Sequence, residues 1–367
     1  MPQSTRRPFS SSSSSSSRLS SSLLQPPSLE EEDAAIYFRV KRDLWYEWYV
    51  IKGNSKTPVE KILAPLYPRP PMQQWESGCG VVGSTIYVLG GADYRERMRL
   101  RSGHVPPRLY ADVYYIDTRH PKGGWKKGPS MKKPRALPYP VTVDDKMYVI
   151  GSTYDVQDEP PPWGEVFEVE QGCWRELGIK TITPRIMSGH GFLDGGKRIL
   201  FHNEGWPFLF SYDTESDSWE TYSDSLGKGC RTASAFVDGV LYFFDYLKPN
   251  SLYGLDVSSP ENLPKKVCGL DRDSIPQDPV EDEVPPIGRL VSLGKSKLAV
   301  LWDFFLYDDD DDHKKYPAAW GRLVVRCSKL KMSKRQDSDG QFYFEGNTLS
   351  ILDYYVMGSS LVDCLSV

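Results

Sequence analysis

Apolar residues in this chain fall in short runs, alternate with polar positions, and are closed by glycine, aspartate or asparagine. Successive side chains on a strand point to opposite faces, so runs of this kind predict half-buried β-strands. The clearest stretch is Glu76 to Pro134. There Gly78 to Val82 and Thr85 to Leu89 predict a hairpin turning at Gly83-Ser84. Beyond Gly90-Gly91 and a long polar loop, Asp112 to Ile116 predicts a third strand, and the segment around Trp125 predicts a fourth. A single four-stranded sheet cannot bury both of its faces, so further units must stack against it.

Weaker copies follow. Turn pairs at Asp144-Asp145, Gly195-Gly196, Asp238-Gly239 and Gly294-Lys295 continue the register at steps of 61, 51, 43 and 56 residues from Gly83. These are blade-sized repeats with variable loops. Ahead of them, Ala34 to Val50 holds two strand candidates without the pair that should precede them. The strands from Gln341 onward are therefore expected to form the inner half of a sixth blade whose outer half is Ala34 to Val50. The predicted fold is all-β: a six-bladed β-propeller closed by N- and C-terminal strands that share one blade, which leaves no unpaired edge.

Gly90-Gly91, Tyr115, Trp125, Met131 and Arg135 together resemble the kelch-repeat family, in particular the kelch domain of plant F-box/kelch proteins. Tyr148 with Gly151 and Trp174, then Tyr212 with Trp219, repeat part of that pattern, and Arg185 and Arg231 stand at entry positions like that of Arg135. The resemblance implies a kelch-type propeller over residues 34–367 and a role in protein–protein interaction. It also suggests recruitment of substrates to a ubiquitin ligase, although no F-box is recognisable in the short, polar segment Met1 to Asp33.

Residues 1–33 are rich in serine, have nothing to bury, and are expected to be disordered. Arg6, Arg7 and Arg18 occur there without an acidic residue before Glu30, as in a plastid or mitochondrial transit peptide. The expected location is cytoplasmic or nuclear, or an organelle if the tail is such a peptide. The balance of 45 basic and 49 acidic residues, net −4, argues against nucleic acid as the main partner. No apolar window is long enough for a membrane span. The six cysteines are isolated, so they read as core thiols rather than zinc ligands. No cofactor is expected, and the propeller is expected to be monomeric.

Function is less legible. Catalytic motifs are missing: the histidines are scattered, and no GxSxG or HExxH occurs. The first long loop is basic, with Arg95, Arg97, Arg99, Arg101 and Arg108. The next is acidic, with Asp155, Asp158 and Glu159 ahead of Trp163, and Asp308 to Asp312 form an acidic insertion in the fifth copy. Charged loops on one face suggest a patterned surface that recognises a protein partner. The alternative is a small-molecule enzyme or binder using the channel mouth, for which Arg135, Arg185, Arg231 and Arg289 at blade entries, with His202 and Glu204, are the candidates. The same arginines also suit a structural role, since a guanidinium has five donors with which to tie neighbouring blades.

Overall fold

The computed structural model describes residues 34–42, 45–52, 61–63, 65–66, 75–100, 106–151, 164–178, 187–203, 209–223, 230–245, 248–259, 263–276, 288–306 and 322–367. The expectation for residues 1–33 lies outside them.

The first blade pairs Gly78–Val82, Thr85–Leu89, Val113–Asp117 and Lys126–Lys127. The second uses Tyr139–Val143, Lys146–Ile150, Gly164–Glu168 and Cys173–Glu176. Met187–Leu193, Arg198–Asn203, Leu209–Asp213 and Ser218–Ser223 make the third. Cys230–Val237, Val240–Asp245, Lys248–Asp256 and Lys265–Cys268 make the fourth. In the sixth blade the C-terminal Ser360–Ser366 pairs antiparallel with the N-terminal Ile36–Arg42, which pairs in turn with Trp45–Ile51. The inner strands neighbour one another in an unbroken ring, from Gly78–Val82 round to Ser360–Ser366 and back. The protein is a closed six-bladed β-propeller.

One boundary differs from expectation. Phe342–Val356 is not part of the sixth blade; it is the outer strand of the fifth, which also contains Arg289–Gly294, Lys297–Leu306 and Arg322–Gln336. The register explains this, because Asp337 to Gln341 forms a tight turn that folds Phe342–Val356 back along the whole of Arg322–Gln336. Only the last seven-residue strand closes the ring. The long outer strand also acts as a clasp. It pairs in parallel with Val267 and Cys268 of the fourth blade near one end, and with Lys61 and Ile62 near the other, so neither end is left as an open edge.

Period-two alternation builds the core. In the first blade Tyr87 and Leu89 pack toward the second blade, while Ile86 and Val88 between them pack toward the sixth. The same rule repeats around the ring, giving six buried clusters among the described residues, one between each pair of consecutive blades. In the second and third blades a fourth-strand tryptophan ties the blade to the one before it. Trp174 Nε1 donates to the Pro129 carbonyl at 2.9 Å, and Trp219 Nε1 donates to that of Gly178 at 3.2 Å.

The predicted hairpin turns are present, with one shift. The fifth turn centres on Lys295 and Ser296, because a bulge between Ser292 and Gly294 adds a residue to the first strand. Inner strands approach closely around the channel. A Cβ at Gly189 would lie 1.5 Å from Ser234 Oγ of the next blade, and one at Gly78 would lie 1.9 Å from the Pro138 carbonyl oxygen. Cys79 and Cys327 are buried, whereas Cys173 and Cys268 are exposed free thiols at outer strands, contrary to the expectation of core positions.

Candidate interaction face

Loops joining second to third strands open on one face together with the connections that enter each blade; the hairpin turns lie on the opposite face. On the loop face, the first blade carries most of the described structure. Its long loop is more ordered than a polar sequence suggests. Ala92–Asp93 pairs with Arg108–Leu109, and Arg95–Leu100 forms a short helix between them.

Asp93 anchors that helix. It accepts the Arg95 backbone N–H at 2.9 Å, the Arg95 guanidinium, and the Tyr110 hydroxyl at 3.2 Å. Hydrogen bonds from Arg95 hold its carboxyl at about 2, below the ordinary value. Arg95 is therefore committed within the loop. Arg99 is exposed and free of partners among the described residues. Arg108 is exposed and its guanidinium lies 5.3 Å from the Tyr110 ring. Met98 and Leu100 flank Arg99 and are 47% and 52% exposed, a large apolar area to leave in water.

Beside the helix, Trp75 packs on Tyr94 with ring centroids 5.6 Å apart, and the Lys41 ammonium sits 5.6 Å from the Trp75 ring. The Tyr94 hydroxyl donates to Glu76 Oε2 at 2.6 Å. Glu76 and Leu137, equivalent entry residues of the first two blades, both have positive φ, 58° and 46°, and the Leu137 N–H donates to the Glu76 carbonyl at 2.6 Å. A left-handed leucine is a strained conformation, and this one holds a 37% exposed side chain at the rim. Lys41, Trp75, Tyr94, Glu76 and Leu137 thus form a contiguous aromatic and charged patch adjoining the helix.

The blade-entry arginines have different fates. Arg135 is 1% exposed; it bonds the Gly151 carbonyl at 2.7 Å and Glu165 at 3.2 Å, so it is not available to an incoming ligand. Glu165, completely buried, also accepts the N–H groups of Lys132 and Lys133, gathering the whole connection between two blades. Arg289 is half-buried on the inner strand of the fifth blade, near enough to Asp303 to oppose the rise that burial causes in that carboxyl. For Arg231 and His202 only the strand backbone is described, as for the helix backbone of Arg97. Arg101, Asp155, Asp158, Trp163, Arg185 and Glu204 lie outside the described residues, as does the acidic insertion of the fifth copy.

An arginine not singled out from sequence has the most elaborate environment. Arg39, 2% exposed on Ile36–Arg42, donates to both oxygens of Asp363 on the C-terminal strand, to Ser77 Oγ at 2.8 Å, and to the Ser77 carbonyl at 2.8 Å. The Tyr46 and Trp48 rings lie beside its guanidinium. One side chain thus joins the N-terminal strand, the C-terminal strand and the first blade. Its only sequence signal is a charge between Phe38 and Val40, where alternation calls for a polar residue. Met98 and Leu100 were also missed; the alternation of Arg with apolar residues in RERMRL was the available clue.

Among the described residues no cluster of three or more His, Cys, Asp or Glu side chains is placed to hold a metal ion, and no helix is long and apolar enough to cross a membrane. Ring closure, repeated tryptophan ties and an uneven loop face define a kelch-type propeller, whose surface is capable of mediating protein–protein contacts. The chain belongs to the kelch-repeat family: the model of the FKB95, Kelch-repeats domain matches residues 44–341. Among its relatives, the F-box/kelch-repeat protein At4g19870 of Arabidopsis thaliana is 25% identical over 287 residues, 77% of this chain and 64% of the relative. F-box/kelch-repeat protein At4g39590 of the same plant is 26% identical over 312 residues, 80% and 67% respectively. Putative F-box/kelch-repeat protein At3g27910 is 27% identical over 226 residues, 58% and 52%. The chain spans between half and two thirds of the length of these relatives.

Proposed function

We propose that this propeller is a protein-recognition module whose contact surface is the loop face of the first blade, and that its partner presents an acidic segment with apolar side chains. The observation that carries this reading is the helix Arg95–Leu100, which holds Met98 and Leu100 in water on either side of Arg99, itself without a partner among the described residues. Exposed apolar groups interleaved with arginine, next to a tryptophan–tyrosine pair, match the composition of interface hot spots. Asp93 and the Ala92–Asp93 ribbon hold that helix in place before binding, which lowers the ordering cost of association. The kelch relatives are F-box proteins by name, so the segment recognised here is proposed to be the part of a protein selected for delivery to a larger assembly.

The test is capture by the immobilised chain from plant extract, comparing native protein with a Met98→Ser, Arg99→Glu, Leu100→Ser variant. The three positions are exposed, so the unfolding temperature should stay within about 2 °C. Proteins retained by the native chain should fall at least tenfold on the variant. Equal recovery by both would remove this surface from consideration.

A further inference from the structure

The opposite face holds an open groove of about 550 Å³ between the second and third blades, within the range of small-ligand sites. It is framed by the hairpin turns at Asp144-Asp145 and Gly195-Gly196 and by the turns after Glu168 and Asp213. Four lining carboxylates, Asp144, Asp145, Glu168 and Glu170, make no ion pair among the described residues. With Glu215 and the lining lysines Lys146 and Lys197 counted, the formal charge of the lining is −3. Lys197 is already paired with Glu215 at 2.9 Å, so it does not neutralise the other four.

A second observation points the same way. Tyr148 is only 4% exposed, with its ring packed on Tyr212 at 5.8 Å, and its hydroxyl lines the groove without a hydrogen-bond partner among the described residues. Burial raises its phenol above the ordinary value; Arg175 opposes this, while the negative charges of Glu168, Asp144 and Asp217 push further in the same direction. The ring is buried while the hydroxyl stays open to the groove, where it can accept a hydrogen bond from a bound donor.

We infer that this groove binds an arginine side chain of a partner peptide, with the guanidinium between Asp144 and Glu168 and one N–H directed at the Tyr148 hydroxyl. A guanidinium fits because its planar donors pair bidentately with carboxylates and leave donors over for a neutral oxygen. An ammonium ion offers three donors from one point and cannot span the same set as well. The carboxylates are not clustered to close on a metal ion. The groove lies on the face opposite the Arg95–Leu100 helix, so it would give the module a second, independent contact.

The probe is a fluorescein-labelled peptide, Gly-Ser-Arg-Gly-Arg-Ser-Gly, compared by fluorescence polarisation with its lysine and citrulline analogues on the whole chain. The citrulline peptide has the same shape without the charge. The arginine peptide should bind at least tenfold tighter than the citrulline peptide and several-fold tighter than the lysine one. Glu168→Gln with Asp144→Asn should weaken it at least tenfold. Asparagine tolerates the positive φ of 50° at position 144, so folding should be preserved. Tyr148→Phe, which keeps the ring, should weaken it at least threefold. Asp339→Asn, at an exposed turn of the fifth blade, should change nothing. Equal binding of all three peptides would overturn the inference, as would equal losses in the Asp339 and Glu168 variants or indifference to Tyr148→Phe. The Met98, Arg99, Leu100 variant should bind the peptide normally, which separates this result from the loop-face reading.

Discussion

Replacing Asp363 by asparagine removes the counter-charge of Arg39 and keeps the shape of the contact. Arg39 is 2% exposed and Asp363 is 32% exposed, so a nearly buried cation would lose its carboxylate while retaining Ser77. Breaking a wholly buried pair costs about 3–5 kcal/mol. Water reaching position 363 and the two bonds to Ser77 lower that to about 2–3 kcal/mol. In a domain of this size each kcal/mol moves the unfolding temperature by about 2 °C, so a fall of about 4–6 °C is expected. Asp353→Asn is the reference. It breaks the Arg326–Asp353 fork, whose partners are 27% and 33% exposed, and should cost less than about 1 kcal/mol. Differential scanning calorimetry gives the size of the effect and hydrogen exchange gives its place. Protection should be lost first in Ile36–Arg42 and Ser360–Ser366, because Arg39 and Asp363 face each other across that pairing. An Asp363→Asn variant no less stable than Asp353→Asn, or one whose lost protection lies in another blade, would refute the reasoning.

Glu165→Gln should be more costly, about 3–4 kcal/mol, since both members of the Arg135–Glu165 pair are buried; chemical denaturation measures it. Burial holds the His190 imidazole down at about 4 against an ordinary 6.5. The native state therefore resists protonation that the unfolded chain accepts. Stability should be highest above pH 6.5 and decline toward pH 4 by up to about 3 kcal/mol, and His190→Asn should flatten that part of the profile in thermal melts. Gly189→Ala forces a methyl into Ser234 and should cost about 2–3 kcal/mol, most of it recovered in the double variant with Ser234→Gly.

The blade count and the first three blades were legible because strand alternation and glycine or aspartate turns are local signals, whereas the outer strand Lys265–Cys268 of the fourth lies in a stretch that reads as a polar linker. Two of the tryptophans read as repeat markers, Trp174 and Trp219, are the side chains that bond to the preceding blade. The placement of Phe342–Val356 was not legible. Its pairing partner is decided by a turn at Asp337 to Gln341, whose polar residues look like a domain break as readily as a hairpin. The candidate face was half legible. Positive charge in the first long loop was visible in composition, but which arginine is free depends on Asp93 capturing Arg95, a contact fixed by the Ala92–Asp93 ribbon. Arg135 shows the converse: its position at a blade entry was plain, and only the buried Glu165 assigns it to holding blades together. Trp75 and Tyr94 lie nineteen residues apart in sequence and meet because Trp75 bridges to Ala92.

The most direct test of the proposed recognition surface is photo-crosslinking from single sites. A benzophenone side chain placed at Leu100, on the loop face, is compared with one at Ser338, an exposed turn residue of the fifth blade on the opposite face. In plant extract the Leu100 probe should give a discrete adduct with one protein, suppressed by Arg99→Glu, and the Ser338 probe should not give that adduct. An adduct that forms equally from both sites, or that survives Arg99→Glu unchanged, would contradict a recognition surface centred on the first blade.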